Sequence, residues 1–122
     1  MIDHVSVAVS DIAAAIRFYD ILLATIGIVR LETRPATVGF GKKCPEFWLN
    51  LRVGTIAVSG AHICFRARTT DMVNAFHAAA IAAGGTSEGA PGLRPQHGEG
   101  YYAAFIRDPD GNRIEAVTFV ET

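Results

Sequence analysis

Hydrophobic and polar residues alternate strictly in two short segments, one at the start of the chain and one near its middle. The apolar positions are Val5, Val7 and Val9 in the first segment and Ile63, Phe65 and Ala67 in the second. Successive side chains of a β-strand point to opposite faces, so each segment predicts a strand with one apolar face. His4 and His62 occupy matching positions on the polar sides of these two strands.

Each predicted strand is followed by apolar residues at helical spacing, which predicts two amphipathic helices. The apolar stripes are Ile12, Ile16, Tyr19, Leu22, Leu23 and Ile26 in the first helix, and Val73, Phe76, His77, Ala80 and Ile81 in the second. The expected N-caps and ends are Ser10 or Asp11 and Gly27 for the first helix, and Thr70 or Asp71 and Gly84-Gly85 for the second.

Three shorter apolar runs follow each helix and predict further strands. They cover about 28–33, 36–41 and 46–52 in the first half, and about 86–88, 101–107 and 113–119 in the second. Segment 89–100 contains Gly and Pro and predicts a loop that is too long for a simple hairpin turn. The order of elements is therefore β-α-β-β-β, twice, which is an α+β fold.

The two halves are related by an internal repeat. At one constant offset, His4 aligns with His62, Phe18 with Phe76, and Gly27 with Gly85. Coincidences of three residue types at one offset favour a duplication. We expect a single domain, 1–122, built from module one, 1–53, and module two, 61–119, with segment 53–60 joining them.

Composition and charge narrow the possible partners. The 122 residues are 50% hydrophobic and carry a formal net charge of -1, without a basic stripe that could neutralise phosphates. No charged leader precedes an apolar stretch, and the alanine-rich segment 75–83 is too short to span a membrane. We expect a cytoplasmic protein that binds neither nucleic acid nor membranes, with its two cysteines as buried free thiols.

A compact motif, Asp-Pro-Asp-Gly-Asn-Arg-Ile-Glu, covers residues 108–115. Its first residues resemble the start of an EF-hand calcium loop. Arg113, however, stands where that loop requires glycine, and Phe119 stands where it requires its final glutamate. The motif instead predicts a hairpin turn followed by a strand with Glu115 in its middle. A carboxylate in that position is costly unless it has a partner.

Together these features resemble the vicinal oxygen chelate superfamily, which includes glyoxalases, bleomycin resistance proteins and dioxygenases. The matching features are a histidine near the start of each half, Phe18-Tyr19 on the first helix, and the motif at 108–115. They extend over nearly the whole chain. The resemblance implies that two βαβββ modules form a curved mixed sheet, which cups a divalent metal ion.

In this superfamily the metal ligands come from the first and last strand of each module. Matched residue by residue, the resemblance implies His4, His62 and Glu115 as ligands, with Glu115 also the catalytic candidate. The fourth position falls on Leu49, or on Trp48 if the register shifts by one residue, and neither side chain binds metal. A pseudo-two-fold axis between the halves is expected to bring the three ligands to one point.

Two histidines and one carboxylate are the set expected for Fe(II) or Mn(II) with open coordination positions, and Zn or Ni are further candidates. The resemblance therefore implies a lyase, isomerase or dioxygenase acting on a small substrate that chelates the metal through adjacent oxygens. Glu46 is assigned outside the site, because placing it there would turn the apolar residues of its strand the wrong way. Without a fourth ligand, lactoylglutathione lyase activity is not expected.

Further residues are candidates for substrate binding: Trp48, Arg94, His97, Tyr101 and Tyr102. The last four lie in or just after the loop predicted at 89–100. Structural roles compete with these assignments. Trp48 also suits core packing, the tyrosine pair suits the start of a strand, and Arg113 shares a strand face with Glu115 and could form a salt bridge with it.

Two broader expectations complete the interpretation. The resemblance implies a homodimer, because a curved sheet of two modules leaves apolar surface that a second chain covers in this superfamily. One alternative to an enzyme is a metal-free protein similar to bleomycin resistance members, which sequester an aromatic ligand in the same cup without chemistry. Another is a family member whose cup has lost activity and serves packing or regulation.

Overall fold

The computed structural model describes residues 1–54, 56 and 61–121. The first half contains β1 (Val5–Val9), α1 (Ile12–Ala24), β2 (Val29–Thr33), β3 (Thr37–Gly41) and β4 (Phe47–Leu51). The second half contains β5 (His62–Arg66), α2 (Thr70–Ala82), β6 (Thr86–Leu93), a 3₁₀ turn (Pro95–His97), β7 (Tyr101–Arg107) and β8 (Arg113–Phe119). Most of the expected linker 53–60 lies outside the described residues.

Each half forms its own four-stranded mixed sheet. The strand orders are β1-β4-β3-β2 and β5-β8-β7-β6. The first strand of each half runs parallel to its last strand, and the other pairings are antiparallel. A parallel pair needs a long crossover, which α1 and α2 begin. The predicted α+β class and the repeated βαβββ order are confirmed.

The apolar faces of the two sheets share one hydrophobic core with the helices. Phe47 of β4 and Phe65 of β5 pack edge to face, with their ring centroids 5.2 Å apart. Tyr19 of α1 is fully buried beside Phe47, and α1 also contacts α2. Because side chains alternate along strands, the opposite face of each sheet points away from this core. We refer to these two faces as the first and second open faces.

The motif at 108–115 forms the predicted hairpin turn, and the turn also joins the two modules. Asp108 accepts hydrogen bonds from the Tyr19 hydroxyl on α1, at 2.5 Å, and from the backbone amide of Asn112, at 2.8 Å. The Asn112 amide group donates to the carbonyl of Ala8, and Asp110 accepts from the Ser10 hydroxyl. The second module is thereby fastened to β1 and α1.

Several predicted boundaries required correction. Asp11 caps α1, but the cap of α2 is Thr69 rather than Thr70 or Asp71, because the Thr69 hydroxyl accepts from the amide of Met72. Residues 89–93 continue β6 instead of forming a loop. The strand accommodates its Gly-rich sequence through register shifts on either side of Gly89. No helix in the described ranges is long and apolar enough to cross a membrane.

Candidate functional site

Strands β5 and β8 bring His62 and Glu115 together on the second open face. In this parallel pair Cys64 is the partner of Glu115, so the carboxylate lies beside the strand that carries His62. The Nε2 atom of His62 is 3.3 Å from the Oε1 atom of Glu115. The Glu115 side chain is 3% exposed, whereas that of His62 is 52% exposed. A buried carboxylate is therefore presented next to an accessible imidazole.

The second oxygen of the Glu115 carboxylate is bound by Tyr101. The Tyr101 hydroxyl donates to Oε2 of Glu115, and its ring packs between His97 and Phe119, with centroid distances of 5.4 Å to each. Burial and the hydrogen bond to Glu115 raise the pKa of Tyr101 above its usual value, so the hydroxyl keeps the proton that it donates. The Glu115 carboxylate is thus held in one orientation.

Cys64 completes this cluster, although the sequence did not single it out. Cys44 and Cys64 are free thiols in exposed residues, so the expectation that both are buried was wrong. Burial of the sulfur, and then the Glu115 charge, raise the pKa of the Cys64 thiol to about 12. The thiol therefore remains protonated at neutral pH and is a poor nucleophile. Alternation along β5 already placed Cys64 on the face of His62, which was the signal available for finding it.

His4 lies on the first open face and does not line the cavity that His62 and Glu115 share, although His62 also lines a further cavity with Ser6 and Ala8 of β1. Its Nδ1 atom is 2.7 Å from the carboxylate of Asp3. It lines a cavity of about 210 Å³, with Ser6, Arg34, Thr37, Trp48 and Asn50. His62 and Glu115 line a different cavity of about 190 Å³. Within the described ranges, no group of three potential metal ligands is formed.

The expected convergence of His4, His62 and Glu115 inside one chain is therefore absent from the described residues. The physical reason lies in the faces that pack. The modules meet through their helix-covered apolar faces, and so the polar faces that carry the ligands point away from the shared core.

The candidate substrate residues divide between the faces. Arg94 and His97 lie beside Phe105 on the second open face. The guanidinium of Arg94 is 5.4 Å from the centroid of the Phe105 ring, and the ring centroids of His97 and Phe105 are 6.4 Å apart. The structure does not place Tyr102 with these candidate substrate residues. Its side chain points to the helix side of the sheet, where its hydroxyl donates to Asn74 of α2. Phe105 had not been singled out, but its alternation with Tyr101 along β7 could have indicated it.

Arg113 and Glu115 do not form the salt bridge that the sequence allowed. The ion pair of Arg113 is with Glu88, at 3.8 Å, and Arg107 also binds Glu88. Glu115 is occupied by His62 and Tyr101 instead. This removes one objection to a ligand role for Glu115.

Sequence and structure comparisons place this arrangement in a known family. The sequence model of the Glyoxalase/Bleomycin resistance protein/Dioxygenase superfamily matches residues 25–116. The chain belongs to this superfamily. The glyoxalase-superfamily chain is 30% identical to a virulence protein of Salmonella typhimurium, over 98% of its own length and 84% of the relative.

Solved structures of the glyoxalase superfamily share the fold. A glyoxalase/bleomycin resistance protein from Albidiferax ferrireducens has a TM-score of 0.83 and 35% identity, and the alignment covers 94% of this chain and 96% of that one. FosX, a fosfomycin resistance protein from Listeria monocytogenes solved with Mn(II) and dihydroxypropylphosphonic acid, has a TM-score of 0.72. It is 15% identical, over 98% of this chain and 90% of that one, which establishes the fold alone.

The strand register settles which residue of this glyoxalase-superfamily chain matches Glu115 in the first module. Trp48 pairs with Ser6 as Glu115 pairs with Cys64, whereas Leu49 is fully buried in the core. The indole lies across Gly39, where a Cβ atom would be 2.9 Å from the ring, and the Arg34 guanidinium is 5.7 Å from its centroid. An aromatic surface thus occupies the fourth ligand position.

The geometry of His62 and Glu115 suits two ligands of one metal ion. Ligands held at about 2.1 Å from an ion, at angles of roughly 90–110°, lie about 3.0–3.4 Å apart. The separation of 3.3 Å between Nε2 and Oε1 falls in that interval. Tyr101 orients the carboxylate from its other oxygen, as partners outside the coordination sphere commonly do. One chain therefore offers two donors of a candidate metal centre.

Proposed function

We propose that this protein is a divalent-metal-dependent enzyme of the glyoxalase/dioxygenase type, acting on a small substrate that chelates the metal through adjacent oxygens. The observation that carries the proposal is the pairing of His62 with the buried carboxylate of Glu115 at 3.3 Å. Tyr101 satisfies one oxygen of this carboxylate by a hydrogen bond, but its buried negative charge remains costly. A cation bound between the imidazole and the carboxylate would neutralise that charge.

The third ligand in this proposal is His4 of a second copy of the chain. His4 of the same chain is on the other open face, so one chain alone supplies only His62 and Glu115. Two chains related by a two-fold axis would bring the first open face of each against the second open face of the other. The homodimer is thus part of the functional proposal, with two equivalent sites shared between chains.

Each residue has a defined task in this site. His4, His62 and Glu115 would hold the ion, which as a Lewis acid stabilises negative charge on substrate oxygens. Tyr101 keeps its proton and fixes the orientation of Glu115. Trp48 contributes an aromatic wall instead of a second carboxylate. Isomerisation of the methylglyoxal-glutathione hemithioacetal is therefore not expected, because the carboxylate that would serve as the base is missing.

Metal binding by the purified protein tests the proposal. Mn(II) is the first ion to use, since FosX was solved with it, and Fe(II), Zn(II) and Ni(II) follow. We expect the wild type to bind one ion per chain in calorimetric titration. Glu115→Gln should weaken binding strongly because it removes the anionic ligand, whereas the matched variant Glu46→Gln should leave it unchanged, because Glu46 is not one of the proposed ligands.

A different outcome would favour the alternative function. If carefully loaded protein holds no divalent ion by elemental analysis, and Glu115→Gln leaves small-molecule binding unaltered, the metalloenzyme proposal fails. The second open face would then be a metal-free pocket that sequesters ligands, as expected of a protein similar to bleomycin resistance members.

A further inference from the structure

The second open face carries more positive than negative side chains. Among residues 61–121, four arginines and two glutamates lie on it: Arg66, Arg94, Arg107, Arg113, Glu88 and Glu115. Glu88 is bound by Arg107, which lowers the pKa of Glu88, and is also near Arg113. Glu115 is assigned to the metal ion. Neither Arg66 nor Arg94 has an ion pair with a described residue, and of the two it is Arg94 that lies over Phe105, the strand partner of Glu115.

The guanidinium of Arg94 is held in a fixed position by the fold. It lies over the ring of Phe105, at 5.4 Å from the centroid, and its Nη2 donates to the carbonyl of Ala90 at 2.6 Å. Gly89 and Gly92 leave the space that it fills, because a Cβ atom at either would come within 3.1–3.2 Å of the guanidinium nitrogens. The bulges in β6 and the two glycines therefore leave the space in which the Arg94 side chain is held.

The Arg94 guanidinium is held close to the candidate metal ligands. Phe105, beneath Arg94, is the strand partner of Glu115 and lines the same cavity as His62. A guanidinium presents parallel N–H groups that match the two oxygens of a carboxylate, and fixing it beforehand reduces the entropy lost on binding. Because Nη2 of Arg94 already donates to the carbonyl of Ala90, only part of the guanidinium fork remains free, which suits the two oxygens of a carboxylate.

We propose that Arg94 recognises a carboxylate of the substrate, and that the site accepts small organic carboxylates whose neighbouring oxygens face His62 and Glu115. This inference names the substrate class for the proposed metal site. Carboxylate recognition by Arg94 does not itself require the metal ion, so the two proposals can be tested separately.

The test compares mandelate with its methyl ester, which has the same ring and hydroxyl group but no charge. Binding to metal-free protein is measured by calorimetry. We expect mandelate to bind about tenfold to a hundredfold more tightly than the ester, as a charge-assisted hydrogen-bonded pair allows. Arg94→Gln should abolish this preference, Arg94→Lys should keep part of it, and Arg17→Gln, on the exposed side of α1, should preserve it.

Equal binding of acid and ester to the wild type, or no measurable mandelate binding at millimolar concentrations, would overturn the inference without any variant. A preference that survives in folded Arg94→Gln protein would overturn it as well. If phenylphosphonate binds more tightly than mandelate, the carboxylate class is wrong. Metal binding without carboxylate preference would leave the proposed function standing, and carboxylate preference without metal binding would leave only the inference.

Discussion

The carboxylate of Glu115 has a partner on each of its two oxygens. His62 approaches Oε1 and Tyr101 donates to Oε2, while the side chain is almost completely buried. Such a carboxylate has little freedom to turn. At the scale of single residues, the candidate site therefore depends as much on Tyr101, which orients the ligand, as on the ligand itself.

Replacing Tyr101 by Phe tests this dependence. The change removes only the hydroxyl that holds Glu115, and we expect the affinity for Mn(II) to fall about 10- to 100-fold. Isothermal titration calorimetry measures the loss. Tyr102→Phe is the matched control, because the Tyr102 hydroxyl bonds to Asn74 on the opposite face and should leave metal affinity unchanged. Equal effects of the two variants would refute the positioning role.

At the scale of elements, the turn between β7 and β8 holds the two modules together. Asp108 in this turn and Tyr19 on α1 are both buried and bond directly to one another. Asn112 and Asp110 add bonds to the end of β1 and to the residue that follows it. The same turn precedes Glu115, so it links module packing to the position of the ligand strand.

Tyr19→Phe should lower the free energy of unfolding by about 1.5–3 kcal/mol, because a buried hydrogen bond to a carboxylate is lost. Urea denaturation followed by circular dichroism measures the change. Ser10→Ala removes a more exposed bond of the same turn and should cost less, about 1 kcal/mol or below. A Tyr19→Phe variant as stable as the wild type would show that the bond is not a stabilising link.

Stability should also depend on the ionisation of Asp108. Burial raises the pKa of this carboxyl above its ordinary value of 3.8, so the folded state binds the proton more readily than the unfolded state. The contribution of this group to stability is therefore present below pH 3.8 and lost as the pH rises through the raised folded pKa.

The comparison with Asp108→Asn isolates this titration. We expect the difference in unfolding free energy between wild type and variant to shift in favour of the wild type as the pH is lowered from 7 towards 4. Urea denaturation at a series of pH values measures it, and other titrating groups largely cancel in the difference. A constant difference over this interval, or a shift towards the variant, would contradict the assignment.

At the scale of the whole molecule, the candidate ligands are divided between two faces that point away from one core. His4 and Trp48 belong to the first open face, and His62, Glu115 and Arg94 to the second. In the proposed function, the site therefore takes its third ligand from a second chain, and metal content alone does not test this assembly.

Mixing two inactive variants tests the shared site directly. His4→Ala and Glu115→Gln should each bind metal poorly alone, but a heterodimer of the two has one site with every ligand intact. Refolding them together in equal amounts should restore roughly a quarter of the wild-type sites. His62→Ala mixed with Glu115→Gln is the control. Both substitutions lie in the second module, so no heterodimer of these variants has an intact site. Absence of recovery in the first mixture would exclude sharing.

The sequence by itself determined the elements of this protein and their repetition. Alternation identified β1 and β5, helical spacing identified α1 and α2, and the remaining strands differ from their predicted ends by about one residue, except for β6. Alternation also placed His62 on the polar face of its strand and Glu115 in the middle of β8. These features follow from periodicities of 2.0 and 3.6 residues, which are local properties of the chain.

Tertiary structure alone decided what those residues meet. The choice between Leu49 and Trp48 depended on the register of β4 against β1, which short apolar segments leave open by one residue. The position of the Arg94 side chain depended on bulges that let a Gly-rich segment continue as β6. His4 was separated from His62 because the modules pack through their apolar faces. How the two modules pack depends on the total apolar area that the whole core removes from water. No local pattern in the sequence encodes that total.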